Sequence, residues 1–389
     1  MNICVITPLY PTHEGRGGFF FVEQLVIQFA RLGHRCFVIA PANITSKYAI
    51  RHPYGEAYEL RNVDDVNTIE IFRPRYYARN ISFMGVSWAT WSVKKAVERT
   101  IKKKHLKIDA FYCHFFWSGF IAWHYAKTNK IPMFVATGES EIQKLPKPCR
   151  SFSLEKFRID TTGIICVSTK NKEEAIGFGY AVEDKCIVLP NGVDLNLFTK
   201  RDKYDCRSAL GISKTEFVVV CVGDISDRKG QMRLLSAAER LNEEKHYDIK
   251  LILAGRGEIK KSSCLIYGGF VSHNDLPTYL NAADIYAIPT RWEGCCNSII
   301  EAMACGLPIV SSNRSFNWDI LNQDNSILID PDNIDKIAEA IQRLYEDKGL
   351  RVELGKRALA SAHGLSISER ASKIIDFMNR KVKDEVSIA

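Results

Sequence analysis

Short runs of β-branched and aliphatic residues recur along the chain, separated by longer stretches of mixed polarity. In the first half they fall at Ile3–Thr7, Cys36–Ala40, Thr68–Phe72, Ala110–Cys113, Met133–Ala136, Ile164–Val167 and Ile187–Leu189. In the second half they fall at Phe217–Val222, Lys250–Ala254, Leu265–Tyr267, Ile285–Ile288, Ile309–Ser311 and Ile327–Ile329. Runs this apolar predict strands buried on both faces. Alternation with helical stretches predicts an α/β fold with two parallel sheets, each covered by helices. The turn-rich Pro190-Asn191-Gly192-Val193-Asp194 separates the two series. Domains are therefore expected over 1–193 and 194–365. After His363-Gly364-Leu365, the Ser366-x-x-Glu369 capping box opens a last helix over 366–389, with Ile367, Ala371, Ile374, Ile375 and Met378 as its apolar positions.

The rest of the composition narrows the classes. The 389 residues are 46% hydrophobic and 25% charged, ordinary for a globular chain of two domains. No apolar run approaches the roughly 20 residues of a membrane span. The opening Met1-Asn2-Ile3-Cys4-Val5-Ile6-Thr7-Pro8 has no basic leader region and reads as a first strand, so a cytoplasmic location is expected. The 12 cysteines are scattered without a Cys-x-x-Cys pair, which argues against zinc and against a disulfide framework. Net charge is +8, and its excess is confined to the first half: residues 1–193 hold 26 basic and 17 acidic residues, the remainder 27 and 28. A basic half suits nucleic acid, an anionic membrane surface or a phosphorylated substrate. Nucleic acid is set aside, because there is no helix-turn-helix, zinc-finger or arginine–aromatic pattern.

Four segments carry candidate chemistry. The first strand leads into Gly15-Arg16-Gly17-Gly18 and then an amphipathic helix. A glycine-rich strand-to-helix turn lets a ligand approach backbone amides, although this spacing is not the dinucleotide fingerprint. Asp109-Ala110-Phe111-Tyr112-Cys113-His114 ends a strand on a histidine, where open α/β sheets bind ligands. Val222-Gly223-Asp224-Ile225-Ser226-Asp227-Arg228-Lys229-Gly230 places two cations before a helix, a setting for a diphosphate. The segment from Pro289 to Pro308 reads strand, tight turn, helix, glycine stop and strand. Glu293 stands before that helix and Glu301 within it. Residues around Glu301 are apolar, so its carboxylate should meet a defined polar partner.

This last block resembles the family-four retaining glycosyltransferases of bacterial surface-polysaccharide type. Glu293 and Glu301 match their Glu-x7-Glu motif, followed by Ala302-Met303-Ala304-Cys305-Gly306-Leu307-Pro308-Ile309-Val310. The resemblance covers nearly the whole chain. Gly17-Gly18-Phe19-Phe20-Phe21-Val22-Glu23-Gln24 resembles the family's amino-terminal helix, Pro190–Asp194 its interdomain signature, and Lys229-Gly230 its phosphate-binding lysine. It implies the GT-B architecture: two Rossmann-like domains facing across a cleft, with a carboxyl-terminal helix crossing back to the first. The first domain would bind the acceptor and the second the nucleotide-sugar.

The resemblance also implies roles. Glu293 would hold hydroxyls of the donor sugar, Glu301 the ribose, and Lys229 the leaving diphosphate. Amides around Cys295, Cys296 and Asn297 would assist at sugar and phosphate. His114 would line the site from the first domain, and Gly17 and Gly18 would let that domain approach the diphosphate. No cofactor and no metal are expected; the donor is a substrate, with a UDP-sugar favoured over a GDP-sugar, and the acceptor a glycan or a lipid-linked glycan. Two positions depart from the family pattern. Asp224 stands where arginine often follows the glycine, which gives Arg228 or Arg291 the task of supplying that charge. Ala136-Thr137-Gly138-Glu139 lacks a histidine found in comparable turns. A sugar-nucleotide epimerase of the same architecture and a non-catalytic sugar-nucleotide-binding partner remain as alternatives.

A further segment, Phe83-Met84-Gly85-Val86-Ser87-Trp88-Ala89-Thr90-Trp91, precedes Lys94, Lys95, Arg99, Lys102, Lys103, Lys104 and Lys107. Aromatic residues followed by a basic helix predict peripheral contact with an anionic membrane, at the inner face of the cell membrane. The competing expectation makes Trp88, Trp91, Val93, Ala96, Val97 and Ile101 a core stripe with the lysines solvated.

Overall fold

The computed structural model describes residues 1–12, 18–45, 55–78, 82–83, 86–145 and 152–388. The chain divides into two compact units, Met1–Leu189 with Ser368–Ala389, and Pro190–Ile367.

The first unit is built on strands β1 (Asn2–Ile6), β2 (Arg35–Ile39), β3 (Tyr58–Asn62), β4 (Thr68–Phe72), β5 (Ala110–His114), β6 (Met133–Thr137), β7 (Gly163–Cys166) and β8 (Cys186–Val188). They form one sheet in the order β8-β7-β6-β5-β1-β2-β4-β3. β1, β5, β6 and β7 are almost wholly buried, as their continuous apolar runs require. β3 alone runs antiparallel, pairing with β4. The Asp64 carboxylate accepts the Val66 and Asn67 amides at 3.0 and 2.8 Å, closing the turn that makes this hairpin.

Helices α1 (Phe20–Arg31), α2 (Trp88–Lys103), α3 (Phe116–Thr128), α4 (Leu154–Asp160) and α5 (Thr169–Gly177) belong to this unit. α2 settles the competing expectations for its segment in part. Val93, Val97 and Ile101 are buried, whereas Trp88 and Trp91 are 45% and 43% exposed and pack on each other at 5.0 Å between centroids. The two tryptophans therefore do not belong to the core stripe. Met84 and Gly85 lie outside the described residues.

The second unit carries β9 (Phe217–Val222), β10 (Ile249–Ala254), β11 (Leu265–Gly269), β12 (Ile285–Ile288), β13 (Ile309–Ser312) and β14 (Ser326–Ile329), all parallel, in the order β11-β10-β9-β12-β13-β14. Helices α6 (Lys203–Leu210), α7 (Gln231–Lys245), α8 (Leu276–Ala282), α9 (Asn297–Ala304), α10 (Ile334–Glu346) and α11 (Lys348–His363) complete it. An ion cluster centred on the largely buried Asp284 ties its core together. Asp284, just before β12, accepts from the Val218 amide at 2.8 Å, Arg207 at 2.7 Å and Lys203 at 2.9 Å. Arg207 is almost fully buried and also donates to the carbonyls of Ala282, Ser213 and Lys214, so its charge meets four acceptors.

The last helix, α12 (Ile367–Ile388), lies on the first unit from Ser368 onward. Phe377 packs edge-on to Phe134 at 6.1 Å, and Arg370 donates to the Leu189 carbonyl at 2.6 Å. Among the described residues no helix is long and apolar enough to cross a membrane.

Candidate functional site

Strand order locates the site in each unit. β9 lies between β10 and β12, so the connections from its two neighbours leave in opposite directions, and the crevice beyond the carboxyl ends of β9 and β12 is where such sheets bind ligands. Both motifs expected to carry chemistry in the second half emerge there, one after each strand. Gly230 fixes their closeness. Its φ of +80° suits glycine, and a Cβ would stand 2.4 Å from the Pro289 carbonyl oxygen.

Glu293 is the centre of this corner and only 8% exposed. Its Oε1 accepts from Lys229 Nζ at 2.7 Å, from the Thr290 hydroxyl at 3.1 Å and from the Arg228 guanidinium. Arg228 also donates to the Trp292 carbonyl at 2.9 Å. Burial alone would push the Lys229 ammonium down. The neighbouring Cys296 sulfur and the Glu293 carboxylate outweigh it, and its pKa stands above the ordinary lysine value. Lys229 is thus a fixed cation despite its burial. Arg228, Lys229 and Glu293, singled out in sequence, meet in one cluster.

The start of α9 is tied to both strands. Cys296 occupies the position before the helix, and its Sγ lies 3.7 Å from Lys229 Nζ and 3.3 Å from Ser298 Oγ. Ser298 in turn donates to the Val222 carbonyl at 3.1 Å, at the end of β9. Asn191 donates to Asn297 Oδ1 at 2.7 Å and to the Cys295 carbonyl at 3.4 Å. Asn191 was read as part of a linker signature; its amide braces the helix start instead. Glu301, one face further along α9, has the polar partner its apolar surroundings require: Oε1 lies 3.2 Å from His273 Nε2. Nothing in the pattern around His273 marked it, because it sits in an unpatterned loop after β11.

Arg291 departs from expectation. Its guanidinium is engaged by Asp332 at 2.6 Å and by Asp227, so it joins a surface ion network rather than the Glu293 cluster. The charge at this corner comes from Arg228 and Lys229. Asp224, where the family pattern often has arginine, turns its carboxylate to the Arg256 amide at 3.3 Å.

In the first unit the same logic applies. β1 lies between β2 and β5, and His114 ends β5 at the corresponding crevice. The imidazole is 5% exposed and neither ring nitrogen has a hydrogen-bond partner. Burial, with the Arg370 charge adding to it, holds its pKa down at about 3, so the ring is neutral at ordinary pH. Gly18 has a φ of +103°, and a Cβ there would come within 2.5 Å of the Tyr10–Pro11 backbone. The close approach Gly18 permits is thus to its own unit's chain. Gly17 lies outside the described residues.

Beyond β6, the Glu139 carboxylate accepts the Phe116 amide at 2.8 Å, the Thr137 hydroxyl at 2.7 Å and the Gly138 amide at 3.0 Å. Burial raises its pKa, and these donors oppose the rise. The residue that stands beside the missing family histidine is a helix cap.

Two doubly wound, mainly parallel sheets in two units are the architecture of the GT-B fold. Solved structures agree on the fold. Sucrose-phosphate synthase from Thermosynechococcus elongatus superposes with a TM-score of 0.76 at 17% identity, covering 100% of both chains. HepE from Anabaena, solved with UDP, does so with 0.70 at 18% identity, covering 98% of this chain and 100% of that one. Residues 16–197 match the model described as Glycosyltransferase Family 4, and residues 202–360 the one described as Glycosyl transferases group 1. The chain belongs to the group 1 glycosyltransferases of GT-B fold.

Two curated relatives bear on its role. The UDP-Gal:alpha-D-GlcNAc-diphosphoundecaprenol alpha-1,3-galactosyltransferase of Escherichia coli is 30% identical over 233 residues, 56% of this chain. That alignment spans 59% of the Escherichia coli enzyme's length. TuaC of Bacillus subtilis, a glycosyltransferase named for teichuronic acid biosynthesis, is 27% identical over 93% of this chain and 97% of its own.

Proposed function

We propose that the protein transfers a sugar, with retention of anomeric configuration and without a metal, from a nucleotide-sugar to a glycan or lipid-linked acceptor in cell-surface polysaccharide synthesis. The observation that carries this reading is the buried Glu293 carboxylate held between Arg228 and Lys229 where β9 and β12 end. The second unit takes the donor, the first the acceptor.

Departure of the leaving group adds negative charge to the diphosphate and leaves oxocarbenium-like charge on the sugar. Lys229 and Arg228 stand ready for the first, already oriented by Glu293, so little reorganisation accompanies the step. Glu293 takes the sugar hydroxyls and the Glu301–His273 pair the ribose. Amides at Cys295–Asn297 and the start of α9 add donors for an anion. The acceptor hydroxyl attacks from the face the diphosphate is leaving, and the departing phosphate takes its proton. In this reading His114 is the residue of the first unit assigned to the sugar. A UDP-sugar is the favoured donor; the Escherichia coli relative is named for UDP-Gal, and HepE was solved with UDP.

Incubation with UDP-, GDP- and ADP-sugars and a diphospholipid-linked glycan, followed by product NMR, tests the reading. Transfer with an α-linked product from an α-linked donor supports it. Epimerised donor, or binding without turnover, supports one of the two alternatives instead.

The same reading places the protein on the inner, anionic face of the membrane where a lipid-linked acceptor resides. The exposed Trp88–Trp91 pair and the basic residues of α2 support it, since each basic residue near such a surface adds about 1 kcal/mol. Sedimentation with phosphatidylglycerol vesicles tests this: binding should fall at high salt and on Trp88→Ala with Trp91→Ala. No binding at any salt contradicts it.

A further inference from the structure

At the far edge of the first sheet, two cysteines stand on neighbouring strands. β7 pairs Ile164 with Cys186 of β8 and Cys166 with Val188. Cys166 and Cys186 are therefore diagonal neighbours, with side chains on the same face of the sheet. Both belong to one hydrophobic cluster, Cys166 inside it and Cys186 packed against its margin. Their thiols hydrogen-bond to each other, and neither is bridged.

The two sulfurs sit in unequal surroundings. Cys166 is fully buried, and its hydrogen bond to Cys186 and its burial both push its pKa up, so it keeps its proton. Cys186 is half-buried and open to small molecules. The hydrogen bond from Cys166 holds its pKa below the ordinary thiol value against the effect of burial. The Lys172 ammonium adds to that lowering, while Glu183 and Asp184 oppose it. Lys172 is itself engaged by Glu183. When protonated, Cys186 donates to the Val182 carbonyl at 3.2 Å. An accessible thiol with a depressed pKa beside a second, buried thiol is the arrangement of a redox-sensing cysteine and its resolving partner. The donor set does not suit a metal, since among the described residues no three His, Cys, Asp or Glu side chains gather as ligands.

We propose that Cys186 and Cys166 form a reversible dithiol switch, in which a hydroperoxide oxidises Cys186 and Cys166 closes the disulfide. The inference does not depend on the sugar-transfer reading. In the first step the Cys186 thiolate attacks one peroxide oxygen. An S–O bond forms as the O–O bond breaks, and the departing alkoxide or hydroxide takes up the proton the thiol released. Cys186 is then a sulfenic acid. In the second step the Cys166 sulfur attacks the Cys186 sulfur. The S–S bond forms, the S–O bond breaks, and hydroxide leaves with the Cys166 proton as water. Two thiols give up two electrons and two protons, and the hydroperoxide becomes an alcohol or water plus one further water.

Diagonal neighbours in a sheet stand roughly 7 Å apart between Cα atoms, so bridging them takes a shift of about an ångström. β8 can yield it, being a three-residue strand at the edge of its sheet with Cys186 as its first residue. The bond would close a loop around α5 and pin β8 to β7. That strand runs on to Leu189, the last residue of the first unit before the chain enters the second.

Peptide mapping of the full chain tests the switch. Reduced protein is treated with hydrogen peroxide, alkylated in denaturant and mapped by mass spectrometry without reduction. A peptide pair joined through Cys166 and Cys186 is expected, and dithiothreitol should reopen it. In Cys166→Ser, or in Cys166→Ala should the first not fold, dimedone should label Cys186. Cys186→Ser should lose the crosslink and leave Cys166 unoxidised. Lys172→Gln should slow oxidation of Cys186 at least two-fold. No Cys166–Cys186 crosslink in the wild type, a crosslink from Cys186 to any other cysteine in its place, or dimedone on Cys166 in folded Cys186→Ser overturns the switch. An unchanged rate in folded Lys172→Gln overturns the activation of Cys186 by that cation.

Discussion

The corners at His114 and at Glu293 occupy equivalent places in two similar sheets and are built in opposite ways. At Glu293 every charge has a partner: the carboxylate carries two cations and a hydroxyl. At His114 the polar atoms have none, and the walls are aromatic. Ion pairing in the first case fixes cations that an anion can recruit without waiting for side chains to order. In the second, burial keeps the imidazole neutral, and no fixed charge is offered. One type of sheet thus carries a charged corner in the second unit and an uncharged one in the first.

The contrast can be pressed first by asking what the ion clusters of the second unit do. Asp284 and Glu293 are both carboxylates holding two cations, but Asp284 also ties Arg207 and the Val218 amide into the core. Asp284→Ala should cost about 3–5 kcal/mol, because it strands a buried guanidinium, and thermal unfolding should show it as a fall in Tm or loss of folded protein. Lys229→Ala should lower Tm by less, because Glu293 keeps the Arg228 guanidinium and the Thr290 hydroxyl.

Acid sensitivity distinguishes the uncharged corner. The folded pKa of His114, about 3, lies below the 6.5 of the unfolded ring. Between those values the unfolded chain takes up a proton that the folded one refuses. Stability is therefore full above pH 6.5 and falls as pH drops toward about 3, by up to about 1.4 kcal/mol per pH unit from this group. His114→Gln should flatten that slope in urea titrations between pH 6.5 and 4.5. An unchanged slope would mean that the ring is not held neutral.

A smaller effect is expected at the ribose end. His273→Ala removes one partner of Glu301 and should weaken UDP by about 0.5–1.5 kcal/mol while leaving inorganic diphosphate affinity unaltered. Smallest of all is Arg291→Ala. With its guanidinium engaged at the surface by Asp227 and Asp332, the change in UDP affinity should stay within about 0.5 kcal/mol. A larger loss would return Arg291 to the diphosphate site.

What could be read from sequence follows from what leaves a pattern. Buried parallel strands write continuous β-branched runs, so β9, β12 and their counterparts stood out. β3 was missed because an exposed edge strand alternates with charged residues, Tyr-Glu-Leu-Arg-Asn, and resembles a loop. Glu293, Arg228 and Lys229 stood out as candidates because they lie in the turns that lead from a strand into a helix. His273 and Asn191 were not seen as site residues, since their roles arise from reach across the fold rather than from position in a motif. Arg291 was one of two candidates for the missing charge, and adjacency to Glu293 in sequence could not say which carboxylate its long side chain would find; it reaches Asp332, 41 positions away.

The central claim is that the Glu293 corner is a diphosphate site. Titration calorimetry of UDP into the full chain and into Lys229→Ala tests it most directly. The wild type should bind, and the variant should lose at least ten-fold in affinity, equivalent to about 1.4 kcal/mol and within reach of one charged hydrogen bond. Equal affinity in a variant with wild-type Tm would contradict the assignment.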